Sequence, residues 1–207
     1  MMGNMKEVGI IKDLQYECIT TTINENKEKN AGVFAFKYLG DDKVFCRIFE
    51  GSKTLKNIIN TKEYVVNITQ DPLAFTESTL KTFDDTFFTS DEDIAILNNT
   101  PAYLIVDVEE IEEKTPDDFP LPGDNKIYFI TGKIREFKQT SPVLAFNRGL
   151  SGLIEGLVNF SRYKMVEPEK RKYYMDRLVE NQRIINKVSD EKTQKAIEML
   201  KKEYEKN

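Results

Sequence analysis

Near Thr140 the chain changes period, and that change constrains the fold more than any other feature. Before it, short runs rich in Val, Ile, Thr, Tyr and Phe are separated by Asn, Asp, Gly and Pro clusters, the pattern of strands joined by turns. After it, apolar residues recur at spacings of three and four, the period of amphipathic helices. The expected class is therefore α+β, with a β domain over residues 1–139 and a helical domain over 140–207. Six strands are expected, over residues 16–23, 31–38, 43–49, 64–69, 102–111 and 126–137, enough for a small closed or partly closed barrel. The polar loop NENKEKN and the turn GDD favour antiparallel pairing of the first three.

One helix interrupts the β region. In EGSKTLKNIINTKEY, Ser52 is placed to cap, and Leu55, Ile58 and Ile59 supply a short apolar face before Asn60 and Thr61 end it. Residues 71–100 stay unassigned: Pro72, Leu73, Phe75 and Leu80 suit a short helix, while Phe83, Phe87 and Phe88 suit an edge strand or a lid. The acid-rich stretch 109–118 and the following FPLPG suggest a solvated strand end and a turn.

Three helices are expected in the last third. Ser141 and Pro142 suggest a start, with Phe146, Leu150, Leu153 and Leu157 as a stripe, the helix running over 142–165. Gly149, Gly152 and Gly156 share another face at an entropic cost, which suggests a close approach to a helix, a second subunit or a flat ligand. Arg148, Glu155 and Arg162 recur every seven residues, too far apart to pair with one another. Arg148 either belongs to a solvated stripe or lines a ligand cleft. Glu167 and Pro168 open the second helix, with Tyr174, Leu178, Ile185 and Val188 inward. Ser189 or Asp190 opens the third, which carries Ile197, Leu200 and Tyr204.

Charge and composition exclude more than they assign. Thirty Lys and Arg against thirty-five Asp and Glu give a net charge of -5, a poor match to a polyanion, so no nucleic-acid partner is expected. The chain has no histidine, which removes Ser-His-Asp and Cys-His nucleophiles, His-ligated metals and haem on a proximal His. No metal is expected. Cys18 and Cys46 lie in strand-like stretches without C-x-x-C spacing and read as core residues in a reducing compartment. No run approaches the roughly 18 apolar residues of a membrane helix, and the first residues lack a signal-peptide core, so a soluble, cytoplasmic protein without a membrane partner is expected.

The most informative stretch is VFCRIFEGSKTLKN. Strand alternation puts Phe45, Arg47 and Phe49 on one face and Val44, Cys46 and Ile48 on the other. Ser52, Lys53 and Thr54 then fall at a helix start, where free N–H groups and the dipole favour an anion. Arg47, Lys53 and the hydroxyls could cradle a phosphate. Equally, Arg47 could pair with Glu50 or Glu63 while Ser52 only caps.

This stretch, extended as RIFEGSKTLKNIINTKEYVVNIT, and the preceding ITTTINENKEKNAGVFAFKY resemble the FMN-binding split barrels of the flavin reductase-like and pyridoxamine-phosphate-oxidase-like superfamily. An uncharacterised, mainly archaeal branch with a helical C-terminal region is the nearest in character. The resemblance implies an antiparallel split barrel and a homodimer with FMN at the subunit interface. It places the phosphate near Arg47, Ser52, Lys53 and Thr54, with Asn57 one turn further on. It puts Thr20, Thr21 and Thr22 near the isoalloxazine, Asn30 and Ala31 on the segment that helps hold it, and Asn67 close by. Thr is also simply a good strand former, and Asn67 could equally face solvent. Without histidine, vitamin B6 oxidation and haem degradation are not expected. The activity implied is an oxidoreductase passing hydride or electrons from a reduced nucleotide-type donor to an acceptor the sequence does not name; a non-catalytic flavin-binding dimer is the alternative. A flavin reductase needs no catalytic side chain of its own, because the cofactor carries the hydride chemistry.

Overall fold

The computed structural model describes residues 5–118 and 125–206, and it divides into two compact units, residues 1–146 and 147–207. The turn expected at FPLPG lies outside the described residues.

In the first unit six antiparallel strands close into a barrel in the order β1-β2-β3-β6-β5-β4. They are β1 (Gln15–Ile23), β2 (Lys29–Gly40), β3 (Lys43–Phe49), β4 (Glu63–Ile68), β5 (Ala102–Lys114) and β6 (Ile127–Gln139). The α+β expectation holds, and each expected strand is present with ends shifted by at most three residues. Closure hydrogen-bonds both edges of every strand, which removes the exposed edges an open sheet would leave. Asp41 and Asp42, at φ 50° and 58°, make the tight β2–β3 turn whose left-handed residues match strand twist.

Alternation sorts the side chains. Tyr16, Cys18, Phe36, Val44, Cys46, Ile48, Tyr64, Val66, Leu104 and Ile130 fill the interior. Both cysteines are free and buried there. Burial pushes the Cys46 thiol up to about 12, and Cys18 further, so both stay neutral apolar fillers rather than nucleophiles. The acid-rich end of β5 is a solvated strand end as expected, with Glu109 paired to Lys43 and Glu113 to Lys126.

Helix α1 (Lys53–Thr61) closes one end of the barrel, and Ser52 caps it, its Oγ accepting from the Leu55 N–H at 3.0 Å. The unassigned region resolves into α2 (Pro72–Leu80), capped by Asp71, and a hairpin-like loop in which the Thr89 N–H donates to Ile96 O and the Asn98 N–H to Phe87 O. Phe83 stacks on Phe87 at 5.1 Å and meets Phe88 edge-on at 5.3 Å. With Ala95 and Leu97 these rings form a second small core over Ile19 and Ala31, on the outside of the barrel.

The first C-terminal helix corrects the expected boundaries. Residues 142–146 are extended: the Ala145 N–H donates to Val8 O and the Glu17 N–H to Phe146 O, each at 2.8 Å. These backbone bonds to the barrel unit compete with helix and win. Helix α3 (Arg148–Ser161) starts instead at Asn147, whose Oδ1 accepts from the Gly149 N–H at 2.9 Å. Of the expected stripe only Leu153 is buried, while Leu150 and Leu157 are exposed. The glycine face makes the contact, packing on α4 (Pro168–Val188) and α5 (Glu191–Glu205). Bare backbone there lets Asn181 Nδ2 donate to Gly152 O at 2.9 Å and the Tyr204 hydroxyl to Gly156 O at 3.0 Å. The inward residues expected on α4 and α5 are buried as read, and Glu155 pairs with Arg177 of α4 at 3.9 Å.

The three glycines are not equivalent. A Cβ at Gly149 would lie 1.7 Å from Ser189 Oγ and 3.1 Å from Ser189 Cβ, whereas one at Gly152 would sit at an ordinary 3.5 Å from Asn181. Gly149→Ala is expected to destabilise the protein by about 1–3 kcal/mol through overpacking. Gly152→Ala should be neutral or stabilising by up to about 1 kcal/mol. Urea denaturation of the two variants checks this; equal midpoints would contradict it.

Candidate functional site

The site is organised by how α1 docks. Its inner face carries Thr54 and Asn57 beside Leu55 and Ile58, all buried. Strand pairing sets Thr22 opposite Asn30, and both point to the barrel interior under the helix. Asn57 Nδ2 donates to Thr22 Oγ1 at 3.0 Å, and Asn30 Nδ2 donates to Thr54 Oγ1 at 2.9 Å and, more weakly, to Thr22 Oγ1 at 3.5 Å. Buried amides without partners are costly, so these bonds fix the helix in one orientation. Gly32 completes the fit, since a Cβ there would meet the Phe34 ring at 2.7 Å and Thr54 Oγ1 at 3.0 Å.

In that orientation Thr54 and Leu55 of the first turn face inward, while Ser52 is half-buried and Lys53 exposed. The N–H groups of Lys53 and Thr54 precede the intrahelical ladder and carry the positive end of the dipole. Two ammonium groups gather nearby. Lys53 makes only a loose, exposed ion pair with Glu28 at 3.8 Å, worth little in water. Lys81, just past α2 in a left-handed conformation with φ 60°, turns its Nζ in to donate to Ala31 O. Although most of the Lys81 side chain is exposed, partial burial of its charged end, and then the charge of Lys53, lower its pKa from the ordinary lysine value. Positive charge at a helix start suits a phosphate monoester, which presents three acceptor oxygens.

The twelve residues read from the sequence fall into five places. Thr22, Asn30, Thr54 and Asn57 form the interior network, and Thr20 is buried in the same direction against Cys18. Thr21, Ala31 and Asn67 face outward but are buried beneath the 88–98 loop. There the Thr21 hydroxyl donates to Ala95 O. Asn67 Nδ2 donates to Ile19 O at 3.0 Å and Thr21 Oγ1 at 2.9 Å, while its Oδ1 accepts from the Leu97 N–H at 3.1 Å. Ser52 and Lys53 stand at the helix start. Arg47 stands apart on the outer face of β3, half-buried, donating to Gln15 Oε1 at 3.3 Å. Neither carboxylate considered for it is its partner, and Glu63 binds Arg135 instead at 2.5 Å. Burial lowers the Arg47 pKa without removing its charge at neutral pH. Arg148 opens α3 in the second unit, exposed, with its charge felt by Glu180.

Sequence reasoning missed Lys81. It lies in the stretch without a clear period, and only the path of α2 across β1 and β2 brings it to Ala31. Two adjoining cavities were also not foreseen, of about 890 and 1050 Å³. Phe83, Asp84, Thr86 and Asn98 line both, and none of the twelve residues lines either.

A closed six-stranded barrel with an anion-attracting helix start, and a separate three-helix unit after it, defines the class of the chain. The family described as "Protein of unknown function (DUF447) N-terminal domain" matches residues 16–121, and its companion, "Protein of unknown function (DUF447)", matches residues 147–202. The chain belongs to this DUF447 family. It is similar to the uncharacterised protein MJ1453 of Methanocaldococcus jannaschii, 26% identical over 166 residues, covering 77% of this chain and 83% of that one. Among solved structures it is similar to the FMN-bound DUF447 protein MM1853 of Methanosarcina mazei, with a TM-score of 0.50 at 20% identity, covering 97% of this chain and 100% of that one. It is also similar to the flavin reductase HpaC complexed with NADP+, with a TM-score of 0.49 at 20% identity over 66% of this chain and 84% of that one. The archaeal-branch resemblance is thus borne out at the level of family and fold. Among the described residues, no helix is long and apolar enough to cross a membrane.

The interior network makes a direct prediction. Asn57→Ala removes a buried donor to Thr22 and is expected to cost about 1–3 kcal/mol. Urea denaturation checks it, and an unchanged midpoint would show that the network does not hold α1.

Proposed function

We propose that this chain binds FMN, with the flavin phosphate held at the start of α1 by Ser52, Lys53, Thr54 and Lys81. The observation that carries the reading is a helix start fixed by buried amides and opened by Lys53, with Lys81 Nζ bonded to Ala31 O, next in the chain to the Asn30 that binds Thr54. A dianionic phosphate relieves the repulsion between the two lysines and takes N–H donors otherwise left to water. Membership of the same family as the FMN-bound MM1853 supports the identity of the phosphate's owner.

The flavin is proposed to lie between two copies of the chain. The outer face of β3 and β6 suits such a contact: Phe45 meets Phe129 edge-on at 5.4 Å, Phe49 is 47% exposed, and Arg47 sits between Phe45 and Phe49 along β3. Aromatic rings and arginine are what interface cores favour. Arg47 is then a contact of the assembled dimer rather than of the helix start. Thr20, Thr21, Thr22, Asn30, Ala31, Asn57 and Asn67 are proposed to shape the wall on which the flavin rests, most of them by holding backbone and α1 in place.

The activity proposed is that of a flavin reductase-like oxidoreductase working in the cytoplasm. When bound, FMN accepts hydride or electrons from a reduced nucleotide-type donor; the chain's own residues bind it, orient it and limit water.

The phosphate reading predicts a difference between FMN and riboflavin. Lys81→Ala should weaken FMN about ten- to a hundredfold, the loss of one charge-assisted contact, and leave riboflavin affinity nearly unchanged. Flavin fluorescence titration checks both. Equal losses for the two flavins, or none for FMN, would remove Lys81 from the phosphate site. FMN affinity should also fall as pH rises through the lowered pKa of Lys81, because the ammonium, not the amine, holds the phosphate. Arg47→Ala should weaken FMN together with self-association, measured by sedimentation; loss of either without the other would contradict the interface placement. Bleaching of bound flavin by a reduced nicotinamide or deazaflavin supports catalysis, and failure with both leaves a binding protein only.

A further inference from the structure

The two cavities differ sharply in charge. The larger is mixed, with Lys27 and Lys29 against Glu28 and Asp84. The smaller, of about 890 Å³, is lined by Glu7, Asp71, Glu77 and Asp84, and among the described residues no Lys or Arg lines it. Its volume falls within the range of small-molecule sites, roughly 300–1,000 Å³. Glu7, Asp71 and Asp84 are exposed and Glu77 is half-buried, and apolar walls accompany them. Phe83 and Phe87, stacked at 5.1 Å and 14°, line it together with Leu97, Val143 and Leu144, and Asn98 and Gln139 add amides.

These features select a ligand class. Four carboxylates repel a phosphate or a carboxylate, so this cavity is closed to the anion that the helix start attracts. A bare metal ion does not suit it either, because among the described residues no group of three or more Asp, Glu or Cys is placed to hold one. Asp71 and Asp84 are tied as helix caps, accepting from the Leu73 and Thr86 N–H groups at 2.9 and 2.8 Å. Among the described residues, Glu7 and Glu77 have no ion pair. Diffuse negative potential around stacked aromatic rings favours an organic cation with an apolar body, held by charge and by cation–π contact.

We infer that the cavity between α2, the 97–101 segment and residues 139–144 binds an organic ammonium compound with a flat or apolar body. The inference does not depend on the flavin reading, since the two sites carry opposite charge and share none of the phosphate residues.

The test uses three ligands of one shape and different charge, benzylammonium, benzyl alcohol and benzoate, titrated into the full chain as purified and followed by amide NMR shifts. Benzylammonium is expected to bind at least about tenfold more tightly than either of the others, with shifts at Ala74, Leu97 and Val143. The Glu7→Gln, Glu77→Gln double variant spares both helix caps, and it should weaken benzylammonium about three- to tenfold while leaving benzyl alcohol unchanged. Equal affinity for the cation and the alcohol, preference for benzoate, or shifts confined to other residues would overturn the inference. Loss of FMN binding with benzylammonium binding intact would sink only the flavin reading.

Discussion

The docking of α1 through the Thr22, Asn30, Thr54 and Asn57 network is the constraint on which the rest depends. An apolar helix face alone would allow α1 to rotate or slide over the barrel mouth at little cost. Two buried amides that find hydroxyl partners only in one register remove that freedom, because every other register strands them. The direction of the first turn, and so the place where an anion is welcome, follows from satisfying polar groups inside the barrel. Thr22, Asn30, Thr54 and Asn57 thus bond one another and set the placement of α1.

A division of charge follows from the chain path. Helix α2 crosses the outside of β1 and β2 and delivers Lys81 to Ala31, where its ammonium adds to that of Lys53. The same excursion carries Asp71, Glu77 and Asp84 to the smaller cavity. One segment therefore contributes both Lys81 and these carboxylates of the smaller cavity.

Much of this was legible in the sequence. The strand pattern, the Ser52 cap and the inward residues of α4 and α5 follow from local rules of period and capping, and the structure reproduces them. The placement of Thr20, Thr21 and Thr22 was partly legible: three consecutive strand residues cannot share a face, so Thr21 must point opposite to Thr20 and Thr22. Its cover by the 94–97 segment was not legible, because it depends on a loop without period that folds back over β1 and β4. The start of α3 was misread because Ser141 and Pro142 have the chemistry of a helix start, yet the backbone of 145 and 146 is claimed by Val8 and Glu17. Lys81 was invisible for the same reason as the cavities: its role arises from where α2 ends in space, not from its neighbours in sequence.

The most direct test of the central claim is the visible absorbance spectrum of the purified protein, with any released chromophore identified by mass and counted against chain concentration. The account predicts FMN at about one per chain, retained on dialysis and displaced by inorganic phosphate at high concentration. A colourless protein that takes up neither native nor added FMN would contradict it, and would leave the fixed α1 and its two lysines as an anion site without a flavin.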